Sequence, residues 1–264
     1  MGDIDQALAR AFARRVPADE ASRTPAPHFA VDGPPAPSPA PAAPGAGRPA
    51  RDPAPGTTLE WPATVRALER GHGARFEQLA DALISARVTA QVRTLYFTSC
   101  HRSEGRTTLV LGLARALARR PGRTVLVDAD LSGPMLARSL GVHARFGLDD
   151  VLDGSATLND ALLEAPDDHL AVVPLRGGVA RPREALQGGP WATTLARLRR
   201  DFDHVLSDGS PLFAGLSAPA LPRAVDAAIL VHNRRLTGDR AVHRARTALE
   251  GGGIPLLGLA ETFV

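Results

Sequence analysis

The sequence predicts a doubly wound, mostly parallel α/β sheet that follows a proline-rich arm. Short apolar runs alternate with segments of helical periodicity, and this alternation is typical of a parallel sheet covered on both faces by helices. A turn rich in small and polar residues follows the first apolar run, and two later runs end in aspartates. Ligands bind at the carboxyl ends of such strands, so the same edge is the expected functional site.

Composition limits the class of protein further. No apolar run approaches the roughly 20 residues that span a bilayer, and the N-terminus lacks a signal-peptide pattern. The single cysteine, Cys100, excludes an internal disulfide framework. All 31 basic residues besides histidine are arginines, yet the net charge is only +3 and no dense basic block occurs. We therefore expect a cytoplasmic protein without a nucleic-acid partner.

The chain divides into three predicted regions. Residues 1–16 form a short amphipathic helix, because Ile4, Leu8, Phe12 and Val16 recur every fourth residue. Residues 17–58 form a Pro/Ala-rich disordered linker, since twelve of the 23 prolines lie before residue 60 and such a segment cannot bury a core. Residues 59–264 form the α/β domain.

Within this domain the elements follow from hydrophobic periodicity. Residues 59–90 have an apolar helical face. Between six and eight strands are expected, and the apolar runs place six of them at 94–98, 124–127, 170–173, 204–206, 227–231 and 255–259. Further helices are expected at 107–120, 157–164, 190–200 and 238–250.

The turn after the first strand resembles a P-loop, whose pattern is G-x-x-x-x-G-K-[ST] between a strand and a helix. Gly105 and Thr107 are in register, but Cys100 replaces the first glycine and Arg106 replaces the lysine. Backbone N–H groups of such a loop surround a phosphate, and a bulky guanidinium is a poor substitute for an ammonium. The predicted nucleotide-contacting residues are Cys100, Ser103, Glu104, Gly105, Arg106, Thr107 and Thr108.

Three aspartates extend the predicted site. Asp128 and Asp130 end the second strand, and Asp208 ends the strand at 204–206 in the position of a Walker B carboxylate. Hydroxyl and carboxylate oxygens suit Mg²⁺, so Thr107, Asp128 and Asp208 are the predicted metal ligands. Asp128 and Asp130 are the predicted catalytic residues of an active enzyme.

The order of these blocks resembles the bacterial tyrosine kinases of capsule and exopolysaccharide systems, a branch of the MinD- and ParA-like P-loop ATPases. The residues that carry the resemblance are TSCHRSEGRTT, VLVDADLSGPML, FGLDDVLDG, VVPLRGG and FDHVLSDGSP, and the resemblance as a whole extends over residues 75–260. The resemblance implies ATP or ADP with Mg²⁺ as cofactor. It also implies a membrane polysaccharide co-polymerase (a chain-length determinant) as partner, and homo-oligomers whose subunits phosphorylate one another's C-terminal tyrosines.

The sequence departs from that family at several positions. The P-loop lacks its first glycine and its lysine, and the only tyrosine is Tyr96, inside the first predicted strand. No tyrosine cluster precedes Val264, so tyrosine autophosphorylation is not expected. Glu261 follows the last predicted strand where relatives commonly have an asparagine near the base, so adenine recognition is expected to differ.

These observations favour a kinase-like regulator of exopolysaccharide or capsule biosynthesis or export, with nucleotide binding weak or lost. It would dock on the membrane co-polymerase or on an active kinase subunit, at the inner face of the cell membrane. One alternative is an active ATPase or protein kinase in which Arg106 functions in place of lysine. A second is a MinD- or ParA-like positioning ATPase.

Overall fold

The computed structural model describes residues 56–213 and 221–262. The predicted helix at 1–16 and almost all of the linker at 17–58 lie outside these residues and stay predictions. The helices are α1 (Ala63–Ala90), α2 (Arg106–Ala118), α3 (Leu136–Ser139), α4 (Leu148–Asp153), α5 (Leu158–Ala161), α6 (Pro182–Gln187), α7 (Gly189–Asp201) and α8 (Asp239–Gly251). The strands are β1 (Thr94–Ser99), β2 (Thr124–Ala129), β3 (Leu163–Ala165), β4 (Leu170–Val173), β5 (His204–Gly209), β6 (Ala227–Asn233) and β7 (Leu256–Thr262).

The seven strands form one sheet in the order β3-β4-β2-β5-β1-β6-β7. All neighbouring pairs are parallel except β3 and β4, which are antiparallel. The chain therefore crosses between strands through helices, and the carboxyl ends of β1, β2 and β5 meet at one edge. In the β2–β5 pair, Thr124 lies opposite His204 at one end and Asp128 lies opposite Asp208 at the other.

Helices cover both faces because the central strands are apolar on both sides. Leu95 and Phe97 of β1 belong to the core that includes α1 and α2. Tyr96, between them, belongs to the opposite core, which contains Trp191 of α7. This alternation follows from the two-residue period of a strand. Helix α1 kinks at His72, whose neighbours are both glycine.

The residues before α1 are fixed to the β3 edge of the sheet. The Thr57 amide donates to the Glu164 carbonyl at 2.8 Å, which satisfies an outward-facing group of β3. Trp61 is buried, donates its indole N–H to Asp168 at 2.7 Å and stacks under the Arg115 guanidinium. This segment therefore covers one sheet edge, which protects it from pairing with another chain.

The structure confirms the predicted fold class and the six predicted strands, and it adds β3. The expected helix at 157–164 is wrong in part: the helix ends at Ala161, and residues from Leu163 form the edge strand. The last strand extends to Thr262, so Glu261 lies inside it and pairs with Arg234 at 2.9 Å. Among the described helices, none is long and apolar enough to cross a membrane.

Candidate functional site

The loop between β1 and α2 has the backbone form of an anion cradle. Ser103 and Gly105 adopt left-handed φ values of 65° and 83°, and α2 begins immediately afterwards at Arg106. A left-handed turn that opens a helix presents successive N–H groups to a bound anion. Ser103 adopts this conformation without being glycine, which costs it backbone strain.

A cavity of about 270 Å³ lies over this loop. Six of the seven predicted nucleotide-contacting residues line it, and the remaining one, Cys100, is buried behind the loop. The lining consists of Ser99, Arg102, Ser103, Glu104, Gly105, Arg106, Thr107, Thr108, Asp130 and Met135. The sequence analysis missed Ser99, Arg102 and Met135. The only sequence signal for Ser99 and Arg102 as cavity residues is their position, since Ser99 ends a strand and Arg102 lies within the loop.

Arg106 is the centre of the site's electrostatics. Its side chain is only 9% exposed. Its Nε donates to Asp208 Oδ1 at 2.7 Å, its Nη2 to Asp130 Oδ2 at 2.9 Å, and its Nη1 to the Ser99 hydroxyl at 3.3 Å. Burial disfavours its charge, but the carboxylates of Asp208 and Asp130 more than compensate and raise its pKa. One guanidinium thus joins the ends of β1, β2 and β5.

Asp208 has both carboxylate oxygens engaged by the P-loop. Oδ1 accepts from Arg106, and Oδ2 accepts from the Thr107 hydroxyl at 2.7 Å. A hydroxyl and a carboxylate in contact form the donor set that Mg²⁺ prefers, so these two residues fit a metal ligand role. In this structure, however, the oxygens of Asp208 are bound by protein donors.

Asp130 accepts three donors from two segments, namely the β1–α2 loop with the first residue of α2, and the residue that follows β5. Oδ2 accepts from Arg106 and, at 3.2 Å, from Nη1 of Arg102; Oδ1 accepts from the Ser210 hydroxyl at 2.9 Å. The Ser210 contact was also missed by the sequence analysis. Asp130 is therefore a structural centre of the site and faces its cavity.

Asp128 is placed differently from the other two aspartates. It is fully buried, and its oxygens accept the backbone N–H groups of Asp130 at 3.2 Å and Leu136 at 2.9 Å. Burial, followed by the nearby Asp208 carboxylate, raises the pKa of Asp128 to about 7. It does not line the cavity. Within the described residues, no group of three or more His, Cys, Asp or Glu side chains is arranged to hold a metal.

Glu104 fixes the P-loop from behind. Its carboxylate is buried, accepts the Cys100 N–H at 3.1 Å and accepts a short hydrogen bond from the Thr237 hydroxyl. Its carbonyl accepts the Thr262 hydroxyl at 2.7 Å. Burial, together with the Glu104 carboxylate, raises the pKa of the Cys100 thiol to about 12. Cys100 is thus a neutral thiol near pH 7, whereas a nucleophilic cysteine reacts as a thiolate. Its role here is packing.

Tyr96 is enclosed beneath the same site. It is fully buried, and its hydroxyl accepts the Ser210 N–H at 3.1 Å. Burial raises its pKa well above the ordinary value. A side chain added at Gly209 would come within 2.0 Å of the Tyr96 ring, so this position requires glycine. The hydroxyl therefore has no access to a phosphoryl donor.

Comparisons with known proteins agree with this geometry. No protein-family model matches the chain. Tyrosine-protein kinase CpsD of Streptococcus pneumoniae is 28% identical over 170 residues, which span 64% of this chain and 75% of that protein. Tyrosine-protein kinase YwqD of Bacillus subtilis is 29% identical over 175 residues, which span 66% and 73%.

Solved structures show the same relation at the level of the fold. The VpsO kinase domain superposes with a TM-score of 0.64 at 25% identity and covers 74% of this chain and 98% of that domain. The kinase domain of the Escherichia coli tyrosine kinase ETK gives 0.68 at 23% identity, with 76% and 80% covered. MinD of Pyrococcus horikoshii, solved with Mg-ADP, gives 0.52 at 25% identity, with 64% and 69% covered. The chain is therefore a relative of the bacterial tyrosine-protein kinases of the CpsD, CapB and YwqD type, built on the P-loop NTPase fold.

Proposed function

We propose that this protein is a kinase-like regulator of bacterial exopolysaccharide or capsule biosynthesis or export, with impaired nucleotide chemistry. Its relatives are tyrosine-protein kinases, which supports the biological setting. Its site supports the impairment. The observation that carries the proposal is the buried guanidinium of Arg106, which occupies the two carboxylates that a P-loop enzyme needs for its metal and its reaction.

A nucleotide would have to displace this arrangement. The phosphates would bind the amides of the loop and the start of α2, and Mg²⁺ would be held by Thr107 and Asp208. The bound metal would neutralise phosphate charge. A metal on Asp208 would compete with Arg106 for the same carboxylate, and breaking a buried ion pair costs about 3–5 kcal/mol. Each 1.4 kcal/mol is a factor of ten, so we expect affinity about two to four orders of magnitude below that of an intact P-loop.

The charges around the cavity also support impaired nucleotide chemistry. Arg106 and Arg102 face the carboxylates of Asp130 and Asp208, so their positive charge is already compensated before an anion enters. The lysine of an ordinary P-loop contributes a mobile point charge that reaches the phosphates. Here the planar fork is held by two acids from different strands. We therefore propose that turnover falls further than binding, because no cation follows the charge that develops in the transition state.

Tyrosine autophosphorylation is also outside the proposed role. Tyr96 is the only tyrosine of the 264-residue sequence, and it is buried. We propose instead that the protein acts by docking on the membrane co-polymerase or on an active kinase subunit, at the inner face of the cell membrane. Homo-oligomers, which the resemblance implies, are part of the same proposal. Recovery of no polysaccharide-assembly protein with the full chain from a native membrane extract would contradict this role.

The second candidate is an active ATPase or protein kinase. It is favoured by the contact between Thr107 and Asp208 and by the close pairing of Asp128 with Asp208, because a catalytic set of hydroxyl and carboxylates is still assembled. Mg²⁺-dependent ATP turnover that disappears in Asp208→Ala would support it. A MinD- or ParA-like positioning ATPase is the third candidate and requires ATP-dependent dimers.

The deciding experiment is calorimetric titration of ATP and ADP with Mg²⁺ into the wild type and Arg106→Lys. We expect the wild type to be silent and the lysine variant to bind, because an ammonium cannot bridge both carboxylates. Arg102→Lys is the matched control, since it makes the same change in the same loop without touching Asp208. Micromolar binding by the wild type, about −8 kcal/mol, would instead support the active enzyme.

A further inference from the structure

The edge of the molecule at α8 carries several exposed arginines. Arg235 belongs to the turn between β6 and α8, and Arg240 and Arg244 are one helical turn apart on α8. All three are exposed. Within residues 56–213 and 221–262, none of the three forms an ion pair. The arginines on the surface between α1 and α2 are instead paired with acids. These arginines are Arg115, Arg119 and Arg120, and their partners are Glu69, Glu77 and Asp81.

An exposed leucine follows the first of these arginines in the same turn. Leu236 directly follows Arg235 and is 55% exposed. It is one of three large apolar side chains exposed in the described part of the chain. A single exposed leucine needs no explanation by itself. Its position at the tip of an arginine-bearing turn gives this surface both an apolar contact and positive charge. We call Arg235, Leu236, Arg240 and Arg244 the arginine face.

Hydrogen bonds hold the turn that carries Arg235 and Leu236, and a ring contact holds Arg244. The Asn233 side chain accepts the Arg235 N–H at 2.9 Å, and the Asn233 carbonyl accepts the N–H groups of Leu236 and Thr237, each at 2.9 Å. The Arg244 guanidinium lies 3.8 Å from the centre of the Phe213 ring, which holds its plane. Preorganised guanidinium groups lose less conformational entropy when they bind a carboxylate.

The same turn is tied directly to the P-loop. Thr237, the residue after Leu236, donates its hydroxyl to the buried carboxylate of Glu104. Glu104 in turn accepts the Cys100 N–H, at the start of the loop. A partner that engages the arginine face therefore contacts a segment joined by two consecutive hydrogen bonds to the phosphate-binding backbone.

We propose that the arginine face is a docking surface for an acidic polypeptide segment that carries an apolar side chain. Guanidinium forks match carboxylates in two hydrogen bonds, and arginine beside an apolar anchor is typical of protein interfaces. A membrane is disfavoured because one leucine buries too little apolar area for stable insertion. Single-stranded nucleic acid is disfavoured because Phe213 is covered by Arg244 and offers no free ring for base stacking. The inference gives the proposed docking role a surface and rests on the proposed function.

The test is fluorescence anisotropy of a labelled peptide of Glu-Glu-Leu repeats, titrated with the full chain at low salt and without nucleotide. We expect a dissociation constant on the order of 10–100 µM. Arg240→Glu/Arg244→Glu should weaken binding about tenfold or more, since it places like charges opposite the peptide. The matched control, Arg66→Glu/Arg70→Glu, reverses two exposed arginines with the same spacing on α1 and should stay within about twofold.

Leu236→Ser is a second variant that leaves every charge in place. It should weaken the peptide's binding, while a peptide with glutamine in place of glutamate should not bind the wild type. Equal losses in the α8 and α1 double variants would overturn the proposal, because binding would then reflect net charge alone. So would α8-dependent binding of phosphatidylglycerol vesicles or of an oligonucleotide in the absence of peptide binding. A protein that binds the peptide but also turns over ATP would remove the proposed impairment and leave the docking surface intact.

Discussion

The two ends of the β2–β5 strand pair treat buried polar groups in opposite ways. At the carboxyl end, Asp128 and Asp208 lie opposite each other and receive donors from the backbone, Thr107 and Arg106. At the amino end, Thr124 and His204 also lie opposite each other and are equally buried. Yet among the described residues neither Thr124 Oγ1 nor His204 Nε2 has a hydrogen-bond partner.

The two ends therefore differ in whether their buried polar atoms have hydrogen-bond partners. Buried polar atoms without partners cost stability, so proteins keep few of them. At the amino end they are isolated and form no site. At the carboxyl end the loops, α2 and α3 supply a donor for each carboxylate oxygen of Asp128 and Asp208, and the result is a connected network beside a cavity. Buried polar groups alone do not indicate a functional site. Buried polar groups whose hydrogen-bond donors come from several segments are stronger evidence for one.

The largest expected effect comes from removing the cation at the carboxyl end. Arg106→Ala leaves Asp130 and Asp208 buried without their main counter-charge, and we expect it to lower the free energy of unfolding by about 3–5 kcal/mol. Urea denaturation measures this loss. Arg102→Ala, which removes a half-exposed partner of Asp130, should cost less than about 1 kcal/mol. Similar losses in the two variants would mean that the buried ion pairs of Arg106 stabilise the fold no more than the exposed pair of Arg102.

The next effect concerns pH at the amino end. Burial, followed by the nearby Arg87, lowers the pKa of His204 to about 4. The unfolded chain binds a proton near pH 6.5, so stability is full above that pH and is lost as pH falls from 6.5 through 4. We expect this group to remove on the order of 3 kcal/mol by pH 4.

His204→Leu separates that contribution from the other titrating groups. The difference in unfolding free energy between wild type and variant, measured in urea at pH 7.5 and pH 4.5, should shift in favour of the variant at the lower pH. A difference that is independent of pH would show that His204 is protonated normally in the folded protein.

The smallest effect compares one substitution at the two ends. Thr107→Val removes the hydroxyl that donates to Asp208 and should cost about 1 kcal/mol. Thr124→Val removes a buried hydroxyl without a partner among the described residues and should be neutral or stabilising. Thermal melts of both variants test the comparison, and equal destabilisation would contradict it.

Much of the fold is readable from the sequence because buried parallel strands are continuous apolar runs. The strands at 124–127 and 170–173 were predicted from such runs. β3 was missed because its three residues, Leu163–Ala165, carry no period and follow a helical pattern without a break. Only tertiary pairing with β4 makes them a strand.

The sequence predicts which residues belong to the site, but it does not predict the hydrogen bonds between them. Spacing identified Arg106, Thr107 and Asp208, because a P-loop has a fixed pattern and strand ends collect ligands. The bond from Arg106 to Asp208 spans 102 positions, and only the sheet order brings these residues together. Likewise, nothing local marks Ser210 as a partner of Asp130.

Because Tyr96 is buried, we expect this protein to give no phosphotyrosine signal of its own. The sequence offers one tyrosine hydroxyl, and that hydroxyl is enclosed under Ser210 and Gly209. Any phosphotyrosine signal that appears when the protein is mixed with a second protein must therefore reside on the second one. Transfer in trans can be followed on an immunoblot without first engineering an inert version of this chain.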